Sequence, residues 1–175
     1  MELRLGPLRP RDRARVAELL VSTGVFSDEE IAVALQLFDV SVDARAAGAN
    51  DAPPPDYEFT GAFEGKHLLG YACAGPTPAT DGTFDLYWLA VDPAVQGKGV
   101  GRAIVRDVER QLRERGARML LVETSSRPDY SKTRAFYARC GYTEAARIRD
   151  FYAPADDRIM LTTRLTTRER GAATR

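Results

Sequence analysis

A glycine-rich segment at residues 97–101 leads directly into the most regular helical pattern of the chain. Gly97, Gly99 and Gly101 alternate with larger residues, and glycines in such a series allow the main chain to bend until successive N–H groups converge. The helix that follows adds the positive end of its dipole at the same place. A phosphate group is the ligand that such a loop favours, and a connector without a ligand is the alternative.

The helical pattern after this segment is predicted to run from Gly99 to Gly116. The stretch 97–118 contains seven basic and three acidic residues, a net charge of +4, which favours a diphosphate over a single phosphate. The apolar residues of the helix form one stripe and are Val100, Ile104, Val105, Val108 and Leu112.

Periodicity along the whole chain predicts the element order β-α-α-β-β-β-α-β-α-β-β, a mixed α/β sheet flanked by helices. A loop is expected from Ala44 to Asp56, where glycine and three consecutive prolines occur. The predicted strands are Leu3–Leu5, Tyr57–Phe63, His67–Ala74, Thr83–Val91, Met119–Val122, Ile148–Tyr152 and Arg158–Leu165. The other predicted helices are Arg11–Thr23, a helix from Ser27 through Phe38, and Lys132–Cys140.

Length and composition favour one folded domain. The chain has 175 residues, of which 44% are hydrophobic, enough for one core. We expect a single domain over residues 1–165 and a polar tail over 166–175. The formal net charge is zero, which argues against a general nucleic-acid binder.

The sequence lacks the patterns typical of membrane proteins, secreted proteins and metal-binding proteins. No apolar run approaches the roughly 20 residues that a membrane span needs, and the first ten residues do not resemble a signal peptide. We therefore expect a cytoplasmic protein without a membrane partner. Cys73, Cys140 and the single histidine, His67, do not have the spacing of metal ligands, so we expect no metal.

The phosphate loop can be compared with known types. The Walker pattern is absent because Lys98 is followed by Gly99, and the dinucleotide pattern fails because the third glycine comes one residue early. The spacing Gln-x-x-Gly-x-Gly, here Gln96, Gly99 and Gly101, resembles the acetyl-CoA pyrophosphate loop of the GNAT superfamily of N-acetyltransferases.

A second segment supports this resemblance. Phe136-Tyr137 followed by Gly141-Tyr142 is similar to the helix signature of GNAT proteins, and the element order agrees from about Leu3 to Leu165. The resemblance implies the GNAT fold, a mixed and mostly antiparallel sheet of about seven strands with about four helices. One departure is Tyr130, which stands where many relatives have an asparagine that contacts the CoA arm.

The resemblance implies roles for particular residues. Tyr137 would be the general acid, since a phenol with a pKa of about 10 can protonate a departing thiolate whose thiol has a pKa near 8.5. A half-buried aromatic ring without catalytic function is the alternative for Tyr137. Main-chain groups of the preceding strand would pair with the pantetheine arm and stabilise the oxyanion, and these are Leu89, Ala90 and Val91. The pyrophosphate would be held by Gln96, Gly97, Lys98, Gly99, Val100, Gly101 and Arg102.

The acceptor amine must lose a proton before it attacks. An alkyl amine of pKa about 10.4 is neutral about once in 2,500 molecules at pH 7, a cost of roughly 4.6 kcal/mol. Asp85 is the first candidate for the base, because histone-acetylating relatives place a glutamate at that position, and Glu123 is the second. For each, a base, a substrate anchor and a structural carboxylate remain open.

The function that the resemblance implies is N-acetyl transfer from acetyl-CoA to a primary amine. Residues 28–64 contain nine acidic residues and one basic residue, which favours a small cationic amine, an amino acid or a peptide amino terminus. Direct attack in a ternary complex is expected, because Cys140 lies at a helix C-terminus and Cys73 in an apolar strand, where neither thiol is activated. A non-catalytic acyl-CoA-binding sensor is the alternative. The resemblance also allows a homodimer.

Overall fold

A computed structural model describes residues 2–46 and 56–165, with side chains up to residue 42 in the first of these segments. The described residues form seven strands and four α-helices in the predicted order, so the predicted fold class is confirmed. The strands are β1 (Arg4–Pro7), β2 (Glu58–Glu64), β3 (His67–Pro76), β4 (Thr83–Val91), β5 (Met119–Ser125), β6 (Thr143–Ala153) and β7 (Asp156–Arg164). The α-helices are α1 (Arg13–Thr23), α2 (Asp28–Ala46), α3 (Val100–Glu114) and α4 (Ser131–Cys140).

The described residues form two compact units. The first contains those of 1–76 and 85–108, and the second those of 77–84 and 109–175. The boundary passes through β4 and through α3. That residues 1–165 act as one domain stays a prediction.

In the first unit the strand order is β1-β2-β3-β4. β2 pairs antiparallel with β1 and with β3, and Gly61 lies opposite Tyr71. Ser27 and Glu30, three positions apart at the start of α2, form a capping box, since Glu30 N–H donates to Ser27 Oγ and Ser27 N–H to Glu30 Oε2. Residues of α1, α2, β2 and β3 share one apolar core, which includes Val16, Leu19, Leu20, Phe38, Phe59, Tyr71 and Cys73.

In the second unit the strand order is β5-β7-β6, with antiparallel pairs throughout. Glu123 lies opposite Met160 and Ser125 opposite Arg158. The buried residues of β5 include Leu120 and Val122. Every residue of β6 is exposed. In this part of the sheet β7 lies between β5 and β6.

Some predicted boundaries were wrong. β5 extends to Ser125, because Glu123–Ser125 pair with β7 although they are polar. β6 begins at Thr143, five residues before the predicted start. The start was missed because every residue of β6 is exposed, so no alternation of apolar and polar residues marks it. α1 begins at Arg13 after a 3₁₀ turn over Pro10–Asp12. The expected loop is helical at Ala44–Ala46, and residues 47–55 and the tail at 166–175 lie outside the described residues.

Two observations bear on the expected absences. Within residues 2–46 and 56–165, no helix is long and apolar enough to cross a membrane. In the same part of the chain no three His, Cys, Asp or Glu residues are grouped as metal ligands would be.

Candidate functional site

The glycine-rich segment forms an exposed loop between β4 and α3 in the first unit. A 3₁₀ turn at Pro93–Val95 precedes it. Gly97 has a φ of 77° and Gly99 a φ of 88°, a left-handed conformation in which an L side chain is strained. A Cβ atom added at either glycine would meet nothing within 4 Å. Glycine is therefore required here by the backbone conformation, and the space above the loop is open.

Main-chain amides at the start of α3 are available to a ligand. Lys98 N–H donates to Val95 O (3.2 Å) and Ala103 N–H to Gly99 O (2.9 Å). The amides of Val100, Gly101 and Arg102 have no intrahelical acceptor, as at the start of any α-helix, because the first intrahelical donor is Ala103 N–H. Three convergent donors at a helix N-terminus fit a phosphate oxygen.

Some side chains around the loop hold its main chain in place, and others add positive charge. Gln96 Nε2 donates to Val91 O (3.2 Å), so this side chain joins the loop to the end of β4. Lys98 and Arg102 are exposed and carry positive charge beside the amides. The loop thus combines a braced main chain with two exposed cations.

Asp92 fixes the entry to the loop. Its Oδ1 accepts from Ala94 N–H (2.9 Å), and its own N–H donates to Leu69 O (2.8 Å). Its Oδ2 accepts from Arg15 Nη2 of α1. The pKa of Asp92 is lowered, first by the hydrogen bond from Ala94 and then, against the opposing effect of burial, by Arg15.

Asp85 lies on β4 in the same unit, beside aromatic residues. Burial and the charge of Asp85 raise the pKa of Tyr87 to about 12. The Tyr87 ring lies 5.3 Å from that of Tyr57 and 5.9 Å from that of Trp88. Asp85 is half-buried, and Tyr87 is more exposed.

Tyr137 lies on α4 in the second unit and is buried, with 4% of its surface exposed. Burial, followed by the neighbouring Cys140, raises the pKa of Tyr137, so the phenol is protonated at neutral pH. The Phe136 and Tyr142 rings pack edge-on against it at 5.0 and 5.3 Å. The helix ends at Gly141, whose φ of 96° allows Tyr142 N–H to donate to Tyr137 O (3.0 Å).

A buried carboxylate supports the tyrosine that contacts Tyr137. Tyr142 Oη donates to Glu109 Oε1 (3.2 Å), and Arg113 Nη2 donates to Glu109 Oε2 (3.0 Å). Glu109 is 8% exposed, and burial together with the Glu109 charge raises the pKa of Tyr142. Both oxygens of Glu109 are therefore occupied.

Glu123 on β5 is held by two neighbours in the second unit. Tyr152 Oη donates to Glu123 Oε1, and Arg158 Nη2 pairs with Glu123 Oε2. Burial and this hydrogen bond raise the pKa of Tyr152. The Arg158 guanidinium also lies 4.9 Å from the centre of the Phe151 ring. Glu123 is a paired carboxylate.

Tyr130, at the position of the usual asparagine, is the N-cap residue of α4. It belongs to a 3₁₀ turn over Pro128–Tyr130, and the Arg127 guanidinium lies 5.9 Å from the centre of its ring. Its place in the fold is thus at the start of the helix that carries Tyr137.

The predicted site residues fall into two groups. β4 and the loop keep Asp85, residues 89–91 and residues 96–102 in the first unit, whereas Tyr137 and Glu123 belong to the second. The sequence patterns predicted no supporting role for the residues that hold the two groups in place, although Tyr142 belongs to the helix signature. Asp92 also carried a local signal, as an acidic residue directly before proline and two residues before the amide that it caps. The other supporting residues are Arg15, Glu109, Tyr142, Tyr152 and Arg158.

Comparisons with known proteins agree on one family. The model of the acetyltransferase (GNAT) family matches residues 24–142. A solved structure described as an acetyltransferase of the GNAT family from Desulfovibrio desulfuricans has 40% sequence identity and a TM-score of 0.83. That similarity covers 94% of this chain and 99% of the other.

Two curated proteins are also similar. N-alpha-acetyltransferase RimI of Mycobacterium tuberculosis is 30% identical over 110 residues, which cover 61% of this chain and 65% of that protein. The [Ribosomal protein bS18]-alanine N-acetyltransferase of Escherichia coli is 34% identical over 73 residues, covering 42% of this chain and 48% of the enzyme. The chain thus matches less than two thirds of either curated relative.

Proposed function

The chain belongs to the acetyltransferase (GNAT) family, and on that premise we propose that it transfers the acetyl group of acetyl-CoA to the amino terminus of a peptide or protein. The observation that carries this proposal is the exposed loop with its left-handed glycines and the open amides at the start of α3. The alternatives are a small-molecule amine as acceptor and a sensor that binds acyl-CoA without turnover.

The loop fits the pyrophosphate of acetyl-CoA by its donor chemistry. Residues 96–102 would hold the two phosphates with main-chain amides and with the charges of Lys98 and Arg102. Main-chain groups of Leu89, Ala90 and Val91 would pair with the pantetheine arm. When bound, acetyl-CoA supplies an acetyl group activated as a thioester.

Tyr137 would act as the general acid. A phenol holds its proton at neutral pH, as a general acid must until the thiolate leaves. Direct attack by the amine is preferred over an acyl-cysteine, because burial raises the pKa of Cys73 and keeps it a thiol. Cys140 is half-buried and is the last residue of α4, where the helix dipole disfavours a thiolate.

The surroundings of the two candidate carboxylates favour an acceptor that needs little help from a base. Glu123 is paired with Arg158, and Asp85 lies against Tyr87, so neither is an isolated carboxylate. An α-amino group has a pKa of about 7.7, so roughly one molecule in six is neutral at pH 7, a cost of about 1 kcal/mol. A lysine-type amine costs roughly 4.6 kcal/mol. A weakly basic α-amine therefore needs much less help from a base.

The activities for which the two curated relatives are named support the same choice. One is an N-alpha-acetyltransferase, and the other acts on an alanine of ribosomal protein bS18. By analogy, peptides with amino-terminal alanine are the first acceptors to test, and the cytoplasm is the compartment that we propose. Asp85 remains the first candidate for an assisting base and Glu123 the second.

Cofactor binding can be tested without knowing the acceptor. We expect Gly99→Ala to raise the dissociation constant for acetyl-CoA about tenfold or more, since the left-handed backbone is strained by a side chain. Gly116→Ala is the matched control, because Gly116 has a φ of 79° and an equally open surrounding but lies after α3. Calorimetric titration should show weaker binding only for Gly99→Ala. Equal affinities in the two variants would contradict the proposed loop.

Acceptor choice can be tested with one peptide that has both a free α-amine and a lysine. We expect α-acetylation to be at least tenfold faster than lysine acetylation at pH 7, with the ratio falling at pH 9 as the lysine amine loses its proton. Mass spectrometry of the fragments gives both rates. Preferential lysine acetylation at pH 7 would overturn the proposed acceptor. Binding of acetyl-CoA without turnover on peptides or small amines would favour the sensor.

A further inference from the structure

The N-terminal helix α1 is connected to the phosphate loop through one arginine. Arg15 lies in the first turns of α1, and its side chain is 25% exposed. Its Nη2 pairs with Asp92, its Nε donates to Leu68 O (3.1 Å), and its Nη1 pairs with exposed Glu18 (3.0 Å). One guanidinium thus holds β3 and the residue that opens the loop.

The partner of Arg15 controls the geometry of the loop. Asp92 caps the 3₁₀ turn over Pro93–Val95 through Ala94 N–H. The last residue of that turn then accepts from Lys98 N–H between the two left-handed glycines. A displacement of Asp92 would therefore be passed through a single turn to the amides that face the ligand.

In the pair of Arg15 and Asp92, the position of Arg15 is fixed because α1 packs into the apolar core. Val16, Leu19 and Leu20, which follow Arg15 on α1, are fully buried in the first unit. The loop end is more exposed, since Pro93, Ala94 and residues 96–99 are exposed and full burial returns only at Val100, the first residue of α3. Glycine-rich segments lose much conformational freedom when they are ordered, and a loop ordered before binding avoids that cost at the moment of binding.

We propose that Arg15 is a positioning residue for acetyl-CoA binding, which acts through Asp92 to hold the phosphate loop in its binding conformation. This inference rests on the function proposed above. It assigns a role in cofactor affinity to a helix outside the loop and β4. It also predicts that Arg15 affects the KM for acetyl-CoA while leaving the chemical step unchanged, because Arg15 contacts the loop and contributes no proton.

The test compares variants of the full chain by steady-state kinetics with a peptide acceptor and by calorimetric titration with acetyl-CoA at 25 °C. We expect Arg15→Gln to raise the KM and the dissociation constant about tenfold, with kcat within twofold of the wild type. Arg15→Lys should recover part of the affinity, because it keeps the charge but cannot hold both Leu68 O and Asp92. Glu18→Gln is the control, since it removes only the exposed partner of Arg15.

A second comparison separates positioning from general stability. Asp92→Asn keeps an oxygen for the Ala94 amide but loses the charge that attracts Arg15. If the two residues act as one pair, Arg15→Gln combined with Asp92→Asn should bind acetyl-CoA no more weakly than the worse single variant within about twofold. Multiplied effects would overturn the proposal. A lower melting temperature of Arg15→Gln with unchanged affinity would overturn it as well. Failure of the wild type to bind acetyl-CoA would instead remove the proposed function itself.

Discussion

In the first unit the loop of residues 96–102 presents main-chain amides to solvent, whereas in the second unit Tyr137 presents one phenol from a buried ring. The amides are main-chain groups, and the backbone that carries them is bent by glycine and braced by the Asp92 carboxylate. The phenol needs an aromatic wall, which Phe136 and Tyr142 provide. A binding function can therefore be built from the main chain, but a proton donor depends on its packed neighbours.

Two further buried tyrosines extend this comparison to stability. The Tyr142 hydroxyl donates to Glu109, whereas the fully buried Tyr71 hydroxyl in the first unit has no partner among the described residues. Burial raises the pKa of both phenols. The same substitution, tyrosine to phenylalanine, should therefore have opposite effects at the two positions, because a satisfied hydroxyl stabilises and an orphaned one costs free energy.

The largest expected effect is on catalysis in the second unit. Tyr137→Phe should lower kcat about 100-fold or more, since it removes the proposed proton donor, while leaving the affinity for acetyl-CoA unchanged. Thiol release at saturating peptide measures kcat, and calorimetry measures the affinity. Tyr142→Phe is the matched control and should keep kcat within a few-fold. Equal rates for Tyr137→Phe and the wild type would leave Tyr137 as a packing residue.

The next effect is on stability in the same unit. Tyr142→Phe should lower the free energy of unfolding by about 2 kcal/mol, because it removes a hydrogen bond to the buried carboxylate of Glu109. Urea denaturation monitored by circular dichroism gives this value, and the melting temperature should fall by about 4–8 °C. An unchanged melting temperature would mean that Arg113 alone satisfies Glu109.

A smaller effect of opposite sign is expected in the first unit. Tyr71→Phe should raise the free energy of unfolding by about 1 kcal/mol, because it removes a buried hydroxyl without a partner and leaves the ring in place. Differential scanning calorimetry should show an increase of about 2–4 °C. A decrease would indicate that the Tyr71 hydroxyl binds a buried water molecule.

The smallest effect concerns the charge that braces the loop. Because the pKa of Asp92 is lower in the folded state, its ionised form stabilises the protein above the ordinary carboxyl pKa of about 3.9. This contribution is lost as the pH falls through the folded-state pKa. Asp92→Asn should therefore lower the free energy of unfolding by less than about 1 kcal/mol at pH 7. The difference in this free energy between the variant and the wild type should shrink below pH 4. Urea denaturation at pH 7 and pH 3.5 gives both values; a difference independent of pH would exclude the charge as its source.

Local patterns explain which parts of this fold and site could be predicted. The stripe of α3 repeats with the period of a helix, and its Val100, Ile104 and Leu112 are buried as that stripe requires. The capping box of α2 uses residues three positions apart. Gly97 and Gly99, part of the glycine series that predicted a bent main chain, have left-handed φ angles. In each case the deciding interaction lies within a few residues.

Interactions between distant positions escaped prediction. Arg15 and Asp92 are 77 positions apart, and Tyr142 and Glu109 are 33 apart. The end of β5 was missed because polar residues up to Ser125 are held as a strand by pairing with β7. Pairing of Glu123 with Arg158 was missed for the same reason, since the two residues meet only through the register of these strands.

The sequence by itself determined the element order, the glycine-dependent loop and the helix that carries Tyr137, because backbone preference and hydrophobic period act over a few neighbouring residues. Only the tertiary structure decided which side chains brace those parts. A guanidinium or a carboxylate finds its partner when strands and helices pack, and the free energy of burying such a group depends on whether that partner is present. For this reason Asp92, Glu109 and Glu123 acquire their roles from residues that the sequence keeps far away.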